Sequence, residues 1–577
     1  MKAANLNHLW GRLILAELTR LGVTQVYLSP GSRSTPLAIA AAESESVNTT
    51  IHFDERGAAF AALGYAKACG RPAALVCTSG TALVNYYPAI VEASMSLTPL
   101  IILSADRPLE LRNCGAPQTI NQVEIFGDYL RRFVDLPAPS EDFAPDMLLE
   151  SVDQSYRAAT GSPAGPVQLN CQFREPLAPL GGLREWSDFL APVSDWLKSG
   201  WPLPATDSSS TSVDQNEVTE VASLLARAKR GVILAGPLPA ARKHEAVVRL
   251  AEQLKWPVLA DISSGLRFGR ESESLVAHAD LYLRDEQVAA TLRPDLVLQF
   301  GAVPSSKAVL SFAAESGADY TQISEHLLSQ DPLHAVTKRF RAEPNRFAEW
   351  LLTSASSSDP EWLTQWRTAE REATKHLAPL RESGPLSEPA VAATICLLAL
   401  DGSALFLANS MPIRDVDAFA QARPTALTVG SNRGANGIDG TVASGVGFAG
   451  GSGCATTILL GDLALLHDLN SLALARDSEL PVVVVVLNNN GGGIFHFLPI
   501  AKVEQHFERY FGTPHNLDFK QAAQMFSLPY YLPESPAIFE SNYAELTASG
   551  RSGIIEIKTD REQNAEDHRR LWQDIAG

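Results

Sequence analysis

GDLALLHDLNSLALARDSELPVVVVVLNNNGGGIF, residues 461–495, is the stretch whose reading decides the fold. The apolar run TTILLG leads into it and ends on Asp462, and apolar residues then recur at helical spacing. Pro481 introduces five valines, a β-branched run of the length expected for a strand buried on both faces. Strand, helix, strand is a βαβ unit, and its two strands run parallel. Asp462 and Asn489 therefore leave the sheet at the same edge. One offers a carboxylate and the other an amide oxygen. The glycines that follow bring bare backbone close, with Gly491 best placed to present its carbonyl. Magnesium takes hard oxygens, few from protein and the rest from phosphate or water, so this edge suits a divalent cation that tethers a diphosphate. Taken singly, plainer readings compete: an Asp at a strand end more often starts a helix than binds a metal, and NNNGGG serves as an ordinary loop.

The rest of the chain repeats this alternation. WPLPATDSSSTSVDQ (201–215) and TSASSSDPEW (353–362) read as linkers, giving segments 1–185, 215–352 and 385–577. Strands are expected at TQVYLSP, TTIHFDE, AALVCTSG, PLIILSADRP and PVQLNC in the first segment. The second has GVILAGP, PVLADIS, DLVLQFG and DYTQIS, and the third ALFLANS, ALTVGS, TTILLGD, PVVVVVLNNN and GIIEIKT. Helices such as RGAAFAALGYAKACG and TALVNYYPAIVEASMS lie between them. The fold class is α/β, with three domains that are each a mostly parallel sheet flanked by helices. Ligands of such sheets sit beyond the carboxyl ends of the strands. SPGSR, FDE, CTSGT, SADR, ANS, GSNRG, LLGD and LNNNGG all fall there, in the first and third segments; the middle one is plainer, with Lys307 in AVPSSK its exception.

GVGFAG (445–450) fits G-x-G-x-x-G, but no strand precedes it, so a nicotinamide site is not expected. It reads as a small-residue helix packed closely on the sheet. A net charge of −18 opposes binding to nucleic acid or anionic membranes, which need a basic face. No apolar run is long enough to span a bilayer. The start, MKAANLNHLWGRLILAELTRLGV, carries Arg12, Glu17 and Arg20 at helical spacing and is an amphipathic helix rather than a signal peptide. None of the six cysteines forms a C-x-x-C pair, and most lie in apolar stretches, so reduced core thiols in a cytoplasmic protein are expected.

GD, a helix, and an asparagine pair with Asn489 27 residues after Asp462 resemble the cofactor motif of thiamine-diphosphate enzymes. FDERGAAFAALGYAK, SGTALVNYYPAIVEA and PLIILSADRP look like the pyrimidine-binding domain of that superfamily. The order of pyrimidine (1–185), central (215–352) and diphosphate (385–577) domains agrees over nearly the whole chain. SPGSRSTPLA, SADRP, CGAPQTI, SNRGANGIDG and NNNGGGIF are most similar to one branch, which decarboxylates 2-oxoglutarate and adds the resulting carbanion to isochorismate on the way to menaquinone and phylloquinone. Other thiamine-diphosphate enzymes, acetolactate-synthase-like ligases or 2-oxo acid decarboxylases, are the alternative. A non-catalytic relative would more plausibly have lost Glu55 or the metal pair, and both are present.

The resemblance implies thiamine diphosphate and Mg²⁺ (or Mn²⁺) as cofactors, with Asp462, Asn489 and the Gly491 carbonyl on the metal. It implies Glu55 as the carboxyl that exchanges a proton with the aminopyrimidine, a role suited to an acid beside an aromatic ring. Ile438 would prop the cofactor in a bent form. Both substrates are dicarboxylates, which explains arginines in an acidic protein. Arg33, Arg107, Arg414 and Arg433 stand just beyond expected strand ends. With Lys307, Ser32, Gln118, Ser410 and Phe495 they would line the substrate pocket. His52 and His496 have no assigned role. Two departures stand out: Ala464 replaces a common serine, so a hydroxyl contact with diphosphate is lost, and Pro117 replaces an expected asparagine. The family implies a homodimer at least, with a dimer of dimers common.

Overall fold

The computed structural model describes residues 1–576 apart from 200–214, 327, 354, 356–358 and 383–384. The chain forms two compact units, one of 1–210 with 432–451 and the other of 211–431 with 452–577.

The first unit is built on a six-stranded sheet. Its strands are β1 (Gln25–Leu28), β2 (Asn48–Ile51), β3 (Ala73–Cys77), β4 (Leu100–Asp106), β5 (Arg132–Leu136) and β6 (Pro166–Gln172). All pairs are parallel, in the order β2-β1-β3-β4-β6-β5. The β3 and β4 runs are buried throughout, the pattern of strands covered on both faces. β5, RFVDL, carries no continuous apolar run and escapes a sequence reading. The N-terminal helix Leu6–Arg20 is amphipathic as expected and buries Leu9, Trp10, Leu13, Ile14 and Leu18.

The small-residue segment is a helix, Thr441–Ser452. Its packing adds to expectation: through residue 451 it belongs to the first unit, and its glycines lie against the helix Glu55–Cys69. A Cβ on Gly64 would stand 1.9 Å from the Ser444 carbonyl oxygen, and one on Gly447 1.8 Å from that of Ala61. The glycines of GVGFAG serve backbone contact between helices, not a dinucleotide.

The second unit holds two further parallel sheets. In the first of these are β7 (Gly231–Ala235), β8 (Val258–Ala260), β9 (Leu275–Val276), β10 (Leu296–Phe300), β11 (Asp319–Ser324) and β12 (Lys338–Arg341). Their order is β9-β8-β7-β10-β11-β12. In the other are β13 (Ser403–Leu407), β14 (Leu427–Ser431), β15 (Thr456–Gly461), β16 (Val482–Asn488), β17 (Tyr530–Tyr531) and β18 (Gly553–Lys558), ordered β14-β13-β15-β16-β18-β17. The valine run is β16, buried from end to end.

The stretch 201–215 lies outside the described residues except for its last member. The 353–362 stretch is not all linker, since a helix starts at Pro360 and runs to Glu382. Trp362, Trp366 and Ala373 of that helix belong to the core of the central sheet, so this core reaches past residue 352. TALVNYYPAIVEASMS is two helices, Thr81–Asn85 and Tyr87–Met95, interrupted at Tyr86. Of the cysteines only Cys77, Cys171 and Cys396 are core; Cys69 and Cys454 are half-buried and Cys114 is exposed, so flanking apolar sequence overstates their burial. No helix among the described residues is long and apolar enough to cross a membrane.

Candidate cofactor and substrate site

β15 and β16 are hydrogen-bonded neighbours, with Gly461 opposite Leu487. Asp462 therefore emerges beside the start of the asparagine run. Gly461 caps the short helix Asp462–His467 and Asp462 is its first residue. Asp462 is 2 % exposed. Oδ1 accepts the Leu463 amide at 2.6 Å; Oδ2 accepts the Gly491 amide at 2.8 Å and faces His515 Nε2 at 3.1 Å. The Leu517 amide donates to His515 Nδ1 at 3.0 Å, so the ring proton resides on Nε2 and points to Asp462.

The turn after Asn489 is held tightly. Asn490 Oδ1 accepts the amides of His515 and Asn516 at 3.0 and 2.7 Å, and the Gly492 amide donates to the Gly512 carbonyl at 2.8 Å. Gly491 has φ +135, and a Cβ there would lie 2.0 Å from the Gly512 oxygen. Glycine is required on both counts.

Asn489 Nδ2 donates to Glu388 Oε1 at 2.9 Å, while Asn489 Oδ1 is buried and has no hydrogen-bond partner. An unpaired buried acceptor costs about 1–3 kcal/mol. Beside a carboxylate and the glycine backbone, this orphaned oxygen fits a hard cation, and the donor set is that expected for magnesium. Glu388 is fully buried; burial pushes its carboxyl up to about 7, with nearby Asp415 adding to the rise.

The same unit carries Ser410, Arg414, Lys307 and Phe495. Ser410, at φ 72, is a strained non-glycine residue and the cap of the helix Met411–Phe419. Such strain is seen where the surroundings over-determine a conformation, often at functional positions. Arg414 is exposed on the first turns of that helix and bonds back to the Ser410 carbonyl; it stands a helical turn beyond β13 rather than at the strand end. His568 on the helix Arg561–Ala576 faces Asp415 Oδ1 at 3.0 Å, and its Nδ1 donates to the Asn564 carbonyl at 2.8 Å. Both ring nitrogens face acceptors, an arrangement that favours the imidazolium form. Burial works to lower its pKa, but Asp415 and the Asn564 carbonyl raise it on balance. Lys307 is exposed and starts the helix Lys307–Glu315 after β10. Phe495 is half-buried with its ring edge-on to Phe511, centroids 5.5 Å apart.

In the first unit, Glu55 is half-buried and opens the helix Glu55–Cys69, whose cap is Asp54. Ser32 is exposed, and its carbonyl accepts the Thr35 amide and hydroxyl. Arg33 is buried: Nη1 donates to the Phe173 carbonyl at 2.8 Å and Nη2 lies 3.3 Å from Glu175. Burial, and after it the Arg107 guanidinium nearby, lower its pKa. Arg107 thus lies within electrostatic reach of Arg33, as do the carboxylates of Glu175 and Asp106. Arg107 Nη2 donates to the Pro117 carbonyl at 3.2 Å. Gln118, at φ 56, exchanges bonds of 3.1 Å with Ser79 in both directions.

Ile438 and Arg433 are half-buried and, unlike the rest of the third segment, group with this first unit. Their loop is fastened by Glu92, 3 % exposed, which accepts the amides of Gly434 and Ala435 at 2.9 and 2.6 Å and pairs with Lys67 at 2.8 Å.

Glu92, Lys67, Glu388, His515 and His568 are the site-related residues that sequence reading missed. Each acts on a partner remote in the chain, as with Glu388 and Asn489, which are 101 positions apart, so no local spacing reveals it. His52 is buried, its pKa lowered by burial, and its Nε2 has no partner. His496 is likewise lowered by burial, and its carbonyl accepts Arg569.

Family models match in three places. "Thiamine pyrophosphate enzyme, N-terminal TPP binding domain" covers residues 10–125, "Middle domain of thiamine pyrophosphate" 187–407, and "Thiamine pyrophosphate enzyme, C-terminal TPP binding domain" 417–557. Among solved structures, benzoylformate decarboxylase from Polynucleobacter necessarius superposes with a TM-score of 0.72 at 17% identity, covering 97% of this chain and 99% of that one. A thiamin diphosphate-dependent enzyme described as putative, from Mycobacterium smegmatis, does so at 0.70 and 19%, covering 96% and 99%. Fold and family models together define a thiamine pyrophosphate enzyme.

Among curated relatives, the 2-succinyl-5-enolpyruvyl-6-hydroxy-3-cyclohexene-1-carboxylate synthase of Rubrobacter xylanophilus is 45% identical over 99% of both chains. That of Chlorobium phaeobacteroides is 42% identical over 99% of this chain and 98% of its own. With this identity over its full length, the chain belongs to the 2-succinyl-5-enolpyruvyl-6-hydroxy-3-cyclohexene-1-carboxylate synthase family.

Proposed function

We infer that this protein decarboxylates 2-oxoglutarate and adds the resulting carbanion to isochorismate, giving 2-succinyl-5-enolpyruvyl-6-hydroxy-3-cyclohexene-1-carboxylate for menaquinone or phylloquinone synthesis. The carrying observation is full-length identity of 38–45% to relatives of that name. The reading divides the chain into pyrimidine (1–185), central (215–352) and diphosphate (385–577) domains. The enzyme works in the cytoplasm as a homodimer or homotetramer.

Asp462, Asn489 and the Gly491 carbonyl hold Mg²⁺ or Mn²⁺. The orphaned Asn489 Oδ1 beside the anchored Asp462 carboxylate supports this set. Thiamine diphosphate, when bound, supplies the electron sink that a 2-oxo acid decarboxylation needs. Glu55 would hold or release a proton facing the pyrimidine of thiamine diphosphate, and Ile438 would supply an apolar contact to the cofactor. Arg33 and Arg107 bind carboxylate; the buried Arg33 guanidinium, its pKa lowered first by burial and then by Arg107, supports this reading. Ser32, Gln118, Lys307, Ser410, Arg414, Arg433 and Phe495 complete the substrate contacts. The strained Ser410 and the Glu92 clamp on the loop of Arg433 hold their neighbours in place before substrate arrives.

The test mixes protein, thiamine diphosphate, Mg²⁺, 2-oxoglutarate and isochorismate. Isochorismate absorbance should fall only when all are present. Turnover of pyruvate without isochorismate would instead indicate an acetolactate-synthase-like or simple decarboxylase activity. Glu55→Gln should abolish turnover while metal-dependent cofactor binding persists; full turnover in that variant refutes its role.

A further inference from the structure

We propose that Glu388 is a positioning residue for the divalent cation, acting by fixing which end of the Asn489 amide faces the metal. The proposal rests on the reading of Asp462, Asn489 and Gly491 as ligands. An asparagine amide presents two nearly isosteric ends with opposite chemistry: the oxygen binds a cation and the NH₂ repels one. Rotation by a half-turn would convert a ligand into a barrier, so a metal site that uses asparagine needs something to set the amide's sense.

Glu388 occupies the place from which to do so. Its Oε1 accepts Asn489 Nδ2 at 2.9 Å and also the Thr559 hydroxyl at 2.9 Å, which locates that oxygen from a second direction. The carboxyl is 1 % exposed. It is delivered by the first turn of the helix Glu388–Leu398, whose cap Ser387 accepts the Ala390 amide and whose next residue is Pro389. On the opposite side Asn489 Oδ1 is buried with no protein partner. A reversed amide would turn its oxygen onto the Glu388 oxygen, two acceptors face to face, and its NH₂ onto the cation. Both contacts are unfavourable, so Glu388 selects a single orientation before the metal arrives. Hydrogen-bond partners of metal ligands commonly act in this way.

The experiment titrates Mn²⁺ by electron paramagnetic resonance into full-length protein with thiamine diphosphate present, and reads the dissociation constant rather than turnover. Glu388→Met keeps the length and removes the acceptor; it should weaken Mn²⁺ binding by ~10–100-fold. Glu388→Gln keeps an acceptor oxygen and should stay within about threefold of the parent. An independent arm exchanges the two chemistries. Asn489→Asp places two carboxyls face to face and should weaken binding, while the double variant Asn489→Asp with Glu388→Gln restores a donor and an acceptor in exchanged roles and should recover it. Parental Mn²⁺ affinity in Glu388→Met, or a double variant binding no better than Asn489→Asp, overturns the proposal. If Glu388→Met does not fold, the exchange arm decides alone. Asp462→Ala separates the two levels. Undiminished Mn²⁺ binding there refutes the ligand assignment itself; loss there with parental binding in Glu388→Met refutes only the positioning role.

Discussion

Replacing Gly491 by alanine tests how the cofactor edge is built. The residue has φ +135, and its added Cβ would lie 2.0 Å from the Gly512 carbonyl oxygen, where ordinary contact begins at 3.4 Å. The turn and the 511–516 segment must separate by ~1.4 Å, the difference of those two distances, or the backbone must rotate. Holding a non-glycine residue in a sparsely populated backbone region costs about 1–3 kcal/mol, and forcing an extra carbon into a packed contact about 1–3 kcal/mol more. Together these give roughly 2–6 kcal/mol of local destabilisation. The bonds that give way join Gly492 to Gly512, and Asn490 to His515 and Asn516. Hydrogen exchange read by mass spectrometry over 488–517 measures the opening of this segment directly. At tenfold per 1.4 kcal/mol, protection there should fall by at least ~30-fold, with the buried amides of β16 little changed. Mn²⁺ affinity should weaken in parallel, because the Gly491 amide no longer fixes Asp462 Oδ2. Parental protection together with parental Mn²⁺ affinity would refute the claim that this turn is sterically closed around glycine.

Further expectations concern the scaffold. Gly64→Ala should lower the thermal midpoint of the ligand-free protein, because its Cβ meets the Ser444 carbonyl at 1.9 Å; Gly22→Ala, with open space around it but a left-handed backbone, serves as a control for strain alone. His568→Asn leaves the Asp415 carboxylate buried without its cation and should cost about 3–5 kcal/mol. Since the folded His568 pKa lies above its unfolded value, its contribution is fully present below the unfolded pKa and is lost as pH rises through the folded one. Thermal midpoints of the parent should therefore decline over that range, and those of His568→Asn should decline less. Trp366→Ala should cost about 3–5 kcal/mol, since Trp366 is fully buried among Trp362, Phe312 and Tyr282; an unchanged melt would show that the Pro360–Glu382 helix is not part of the central core.

Much of this architecture is written in local pattern. Runs such as PVVVVV and LIILSAD are short, apolar and β-branched, so burial on both faces of a parallel sheet is their natural outcome. Polar and glycine residues at the ends of those runs mark the ligand edge, because backbone and side chains there point beyond the sheet. Asp462, Asn489 and Gly491 were read as candidates for that reason, and so were Arg33 and Arg107, while Gln118 came only from the resemblance. Edge strands such as RFVDL and KRFR were not, since charged residues on a half-exposed strand erase the apolar signal. The cysteines show the converse error: Cys114 is exposed and Cys69 and Cys454 are half-buried, although core positions were expected.

The sequence by itself determined three sheets, their central strands and the family, and marked the edge where Asp462 and Asn489 emerge, because periodicity and turn chemistry act over a few residues. Tertiary structure alone decided which side chains hold that edge in working order. Glu388 meets Asn489 across 101 residues, His515 meets Asp462 across 53, and Glu92 meets Gly434 across 342. The segment 432–451, read as part of the third domain, packs with the first unit because Gly64 and Gly447 allow two helix backbones to touch. Burial and hydrogen-bond satisfaction are properties of the packed chain, and a buried donor takes whichever acceptor the fold delivers, however far away it lies in sequence.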